Sequence, residues 1–237
     1  MNMTGNTGQS NVSYDRLRHA TSAVFVATIY LFMLRTYGTA VADMFNSYVA
    51  VQVTQILALI ASSTYVVFFY LFYKDYAEEA QHLLKKAALG AFIGNGLILI
   101  LQLRSLCFIL RFYDHVLMDL EYIVILLPLA GSLSMVIFFT VFRKEVKRQN
   151  HAQLKIPTLA GLIGADIQLC FALLMAANYL AVEQGVFLPD RHRIVWIVLM
   201  PILMLQFMAY LYFYISFRRV LKQYTPTEKV YNPIIEE

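Results

Sequence analysis

Charge inside an apolar helix is costly, about 2.5–3.5 kcal/mol at the centre of a membrane span on insertion scales, so the search for chemistry begins with the residues that bear that cost. Asp166 is the clearest. It sits in the run LAGLIGADIQLCFALL, and no Lys or Arg occurs between Lys155 and Arg191. Asn95, Ser132, Ser134 and Gln206 fall at comparable depth in three other apolar runs, with Thr28 and Ser62, Ser63 and Thr64 in two more. These positions predict one layer of polar groups near the middle of a helical bundle. Two uses fit such a layer: hydrogen bonds that glue helices together, or a hydrated ion or substrate path formed by Asp166, Asn95, Ser132, Ser134 and Gln206. Helical spacing alone does not say whether the groups converge.

Arg104 lies eight residues before Phe112, about 12 Å from the end of its apolar run at 1.5 Å per residue. Glu121 opens the next run, and the short connection between them makes the two helices antiparallel neighbours. The expectation is a structural Arg104–Glu121 ion pair that pins the hairpin, with a gate or an anion contact as the alternative.

Other chemistry is missing from the sequence. His19, His82, His115, His151 and His192 all fall at the ends of apolar runs or between them, so no pair is placed to ligate a haem. No Lys lies within a run, which removes a retinal-type Schiff base. Metal-ligand spacings, serine-nucleophile motifs and phosphate-cradling glycine loops do not occur. Glu78 and Glu79 are the one acidic pair near a His, and residues 74–86 (KDYAEEAQHLLKK) read instead as a short interfacial helix. It would turn Tyr76, Leu83 and Leu84 to the membrane and set Glu78 beside His82. Cys107 and Cys170 are expected as buried, reduced, effectively apolar thiols. The expectation is a protein that is not an enzyme and carries no cofactor or metal.

The elements that hold these residues are six apolar stretches, 20–37, 48–73, 87–112, 118–142, 157–182 and 194–217, each long enough to cross a bilayer. Charged residues make up 14% of the chain, against about 25% in soluble domains, and the bilayer accounts for the deficit. The fold class is all-α, a polytopic integral membrane protein. It has a polar N-terminal segment (1–19), a six-helix transmembrane domain (20–217) and a C-terminal tail (218–237). Lys and Arg number 14 in the N-terminus, the second and fourth connections and the tail, against four in the other connections. Such asymmetry puts both termini in the cytoplasm, outweighing the two N-terminal glycosylation sequons. The basic residues suit lipid head groups, and a nucleic-acid partner is not expected.

Shifting the chain by 70 positions aligns residues 66–99 with 136–169 without a gap, with 11 of 34 pairs identical. A third copy of the aromatic helix end appears at Phe213, Tyr214 and Phe217. The pattern suggests three two-helix hairpins of about 70 residues; the competing explanation is that aromatic and basic residues favour the same interface at each helix end. Pro128 with Gly131, and Pro201, are potential kinks. Large Phe, Tyr and Met side chains on mostly unbroken helices favour a non-catalytic subunit or scaffold of a membrane complex, packing against lipids and against other membrane subunits or copies of itself. The alternatives are a small channel or transporter around Asp166, and a sensor that signals through the loop 143–155. Which membrane holds the protein does not follow from the sequence.

Overall fold

The computed structural model describes residues 7–45, 48–76, 81–109, 121–183 and 192–224. Among the described residues there are six α-helices: α1 (Thr7–Phe45), α2 (Tyr48–Leu71), α3 (His82–Ile109), α4 (Glu121–Arg148), α5 (Ala152–Glu183) and α6 (His192–Tyr224). All six are long and apolar enough to span a bilayer. Backbone groups in hydrocarbon are satisfied within a helical segment, and these helices run unbroken through Pro128, Pro157 and Pro201, although each proline lacks the N–H that its turn would otherwise use.

Each helix packs on its two neighbours in the chain, and α1 meets α6, so the helices form a closed ring. Among the described residues no backbone contact crosses the ring between α2, α4 and α6. Aromatic side chains bridge that gap. Phe68, Phe69 and Phe72 from α2 and its end, Phe138, Phe139 and Phe142 from α4, and Phe213, Tyr214 and Phe217 from α6 are all fully buried. They recur at steps of 70 and then 75 residues, and their contacts are cyclic. Phe72, Phe142 and Phe217 form a triangle with centroid separations of 5.2, 5.9 and 5.8 Å. Around it, Phe69 meets Phe138 at 4.9 Å, Phe139 meets Phe213 at 4.8 Å and Tyr214 meets Phe68 at 5.5 Å, each edge to face. Edge-to-face geometry brings the positive ring edge onto the negative face of the next ring and adds about 0.5–1.5 kcal/mol per pair beyond area burial.

The odd-numbered helices obey the same rule with smaller residues. Leu17, Thr21 and Val24 on α1 are fully buried; Leu84, Ala88 and Ala91 on α3, then Leu154, Thr158 and Gly161 on α5, occupy the corresponding places at steps of 67 and 70. Gly161 fits there because a Cβ would strike the Phe139 ring, and on α3 and α4 Gly94 and Gly131 allow the two backbones to approach closely.

Several elements differ from the sequence reading. Helices continue past the apolar stretches, because the basic flanks extend the same buried stripes: α1 includes the polar 7–19, α5 starts five residues before Pro157, and α6 runs on to Tyr224. Residues 74–86 do not form a separate interfacial helix. Phe72–Tyr76 is a π-helical turn continuing α2, His82–Lys86 opens α3, and Glu78 lies outside the described residues. Packing decides this: Leu84 is 2% exposed in the core, Tyr76 packs on Phe142 and Phe217, and only Leu83, 60% exposed, faces outward. The supposed loop 143–155 is helix on both sides of a tight turn. Asn150 takes a left-handed φ of 56°, and the His151 N–H donates back to the Val146 carbonyl, the Schellman pattern that stops α4.

Two stability predictions follow from this packing. Phe142→Ala, at the triangle, should destabilise by about 3 kcal/mol or more, while Leu126→Ala on the perimeter should change stability by under about 0.5 kcal/mol; thermal unfolding in detergent distinguishes them. Asn150→Val should cost about 1–2 kcal/mol through the left-handed backbone and Asn150→Gly should be tolerated, read by the same assay.

Candidate functional site

One to two turns from the aromatic hub, the ring carries its polar residues. Thr28, Ser62, Asn95, Ser132 and Gln206 are all buried. Thr28 and Asn95 each bond across a consecutive helix pair, and Tyr210 with Gln168 makes a third such bridge. The Thr28 and Tyr65 hydroxyls join α1 to α2 at 2.6 Å, the Asn95 amide donates from α3 to the Met135 sulfur on α4 at 3.4 Å, and the Tyr210 hydroxyl on α6 donates to Gln168 Oε1 on α5 at 2.8 Å. Tyr65, Met135 and Tyr210 stand at the same 70 and 75 residue steps as the hub, so each pair is bridged at one level.

Most remaining hydroxyls are spent on their own helices. Thr28 donates to the Val24 carbonyl, Ser63 to Ile60, Thr64 to Ala61 and Ser134 to Gly131, all at 2.6–2.7 Å. Such local bonding lets hydroxyl-bearing residues sit in a membrane helix at little cost. On α6, two of the buried oxygens without a hydrogen-bond partner among the described residues are Gln206 Oε1 and the Tyr214 hydroxyl.

The structure thus brings Asn95, Ser132 and Gln206 into the interior, leaves Ser134 half-buried against Gly94, and places Asp166 apart from them. Asp166 follows the buried Ala165 by one residue. A helix turns about 100° per residue, which carries Asp166 off the stripe formed by Leu154, Thr158, Gly161 and Ala165 and onto the exposed side with Ile163, Cys170 and Leu173. Cys170 is therefore exposed, contrary to the expectation of a buried thiol, while Cys107 is partly buried. Arg104 is partly buried and engaged on α3, and Glu121 opens α4 with its side chain outside those described, so their pairing is not part of the described contacts. Among the described residues no group of His, Cys, Asp and Glu could hold a metal ion.

The residues that sequence reasoning missed are Tyr65, Tyr210 and Gln168, which complete the bridges. Their signal was present, since Tyr65 and Tyr210 precede Phe68 and Phe213 by three residues in equivalent helix ends. At the basic end, Lys85 lies 5.5 Å over the Tyr73 ring and Lys74 5.9 Å over Tyr70, the cation–π pairing expected at a membrane interface. A cavity of about 310 Å³ there is lined by His82, Lys144, Glu145 and Arg148 among others. Glu145 holds Arg148 at 2.6 Å and so offsets the charge of its wall.

These features define a multi-pass membrane protein with a self-closing six-helix ring. No family model matches the chain, and neither a curated protein nor a solved structure does.

Removing an unpartnered buried hydroxyl should be harmless, so Tyr214→Phe should leave the melting temperature unchanged or raise it. Tyr65→Phe, which breaks the bridge to Thr28, should lower stability by about 0.6 kcal/mol. Thermal unfolding of both variants in the same detergent tests the contrast, and an equal loss in both would contradict it.

Proposed function

We propose that this protein is a non-catalytic subunit or scaffold of a membrane complex, built from three hairpins of common descent, with its basic end in the cytoplasm. The observation that carries the reading is the aromatic hub. Nine large, fully buried side chains occupy the centre of the ring at its basic end, where a permeation route would have to pass. Above it, the inward Thr28 and Asn95 are each tied both to a neighbouring helix and to their own backbone, the bonding expected of glue between helices. What the protein offers to others is its outer surface, rich in large apolar side chains such as Val26, Ile100, Leu126 and Met175, each at least half exposed. The equivalent burial of residues at three places in the chain supports duplication more strongly than shared interface preferences, because those preferences do not dictate which helix face is buried.

A second reading, a gated channel or transporter, is favoured by one feature: Gln206 Oε1 is buried beside the polar layer without a partner. Native mass spectrometry of the protein extracted gently into nanodiscs separates the two. The subunit reading expects a defined assembly with other membrane proteins. A lone monomer or homo-oligomer, with solute flux abolished by Gln206→Leu and preserved folding, would replace it with the transport reading.

A further inference from the structure

The outer face of α5 holds a carboxylate with nothing to answer it. Asp166 stands near the middle of the Ala152–Ala181 span, fourteen residues from one end and fifteen from the other. Its side is exposed among Ile163, Cys170 and Leu173. Among the described residues no hydrogen bond or ion pair reaches it. The short side chain of Asp has too little reach to extend from mid-span to either interface, as a Lys or Arg near a helix end can. Nor can the ring supply a counter-charge. The helices packed on α5 are α4 and α6, and neither has a Lys or Arg within its apolar stretch, between Glu121 and Arg143 or between Arg193 and Arg218.

We infer that this face of α5 is a docking surface for one transmembrane helix of a partner protein that presents a Lys or Arg at mid-bilayer depth, paired with Asp166. The inference rests on the subunit reading and names the chemistry of the partner. Charge complementarity selects the occupant. An uncompensated carboxylate at this depth is among the costliest groups a span can carry, and a cation from outside the ring is the group that compensates it. The surrounding surface suits a helix. Ile163, Asp166, Cys170, Leu173 and Ala177 follow at three- and four-residue spacing, and the small Cys170 and Ala177 let a second backbone approach. Asp166 then sets the register of that contact, and the apolar neighbours exclude lipid around the pair.

Cys170, one turn beyond Asp166 on the same face, supplies a native reporter. The full chain, with Cys107→Ser, is reconstituted in lipid vesicles with a synthetic Leu/Ala transmembrane peptide that carries one central Lys and a Cys one turn away. A matched peptide has Leu in place of Lys. Oxidative disulfide formation with Cys170 should be about fivefold to tenfold greater for the Lys peptide, as expected of an interhelical polar contact in model bilayers. Asp166→Asn, an exposed position whose variant should fold normally, should bring the Lys peptide down to the level of the Leu peptide. Equal cross-linking of the two peptides, or an Asn variant that still prefers Lys, would overturn the proposal. So would a Cys170–Cys170 disulfide between two copies that excludes the peptide, since the face would then serve a second copy of this chain. The outcomes are separable from the subunit reading: a native complex that survives Asp166→Leu keeps that reading and removes this face, while peptide pairing without any native complex does the reverse.

Discussion

Everything in this fold depends on how three helices meet without touching. The backbones of α2, α4 and α6 are held apart across the ring, and the space between them is filled by aromatic side chains arranged head to edge in a cycle. In a bilayer, water expulsion gives no drive to bring apolar helices together, so association relies on van der Waals packing and on the few interhelical hydrogen bonds. Large planar rings satisfy that requirement well. They make many contacts per side chain and their quadrupoles favour the cyclic edge-to-face order. The π-helical turn at Phe72–Tyr76 belongs to the same device, because Tyr76 joins the rings of Phe72, Phe142 and Phe217 from its far side.

From that hub the remaining features follow in order. The odd-numbered helices fill the outer places between the even ones, which calls for small or slender residues where rings press against them, as Ala88, Ala91 and Gly161 do. One level further along, Thr28 with Tyr65, Asn95 with Met135, and Gln168 with Tyr210 bridge consecutive helices. The basic end is tied by these contacts into one body. Charged chemistry is displaced to the perimeter, and Asp166 is its conspicuous member.

Much of this was legible in the sequence. Six spans follow from apolar length, and the equivalence of Phe68, Phe138 and Phe213 from aligning the chain with itself. The polar layer was legible as a depth, since depth depends only on counting residues from a helix end. What was not legible is rotation. A helix that is apolar nearly all round carries little periodic signal of which face is inward, so Asp166 and Gln206, at matching depth, look alike in sequence. One belongs to the outside of α5 and the other to the inside of α6. The same ambiguity hid Cys170. Residues 74–86 misled for a different reason. Their charges read as an interfacial segment, whereas Leu84 and Tyr76 are drawn into the core and the charges simply flank the ends of two long helices.

The Asp166 face of α5 looks outward and not into a water-filled interior. A nitroxide at Cys170, in a Cys107→Ser background reconstituted in nanodiscs, reports this directly through its relaxation by oxygen, which concentrates in lipid, and by a water-soluble nickel chelate. An outward face gives strong relaxation by oxygen and almost none by nickel. Strong relaxation by nickel would place Asp166 on an aqueous path through the protein and contradict that orientation.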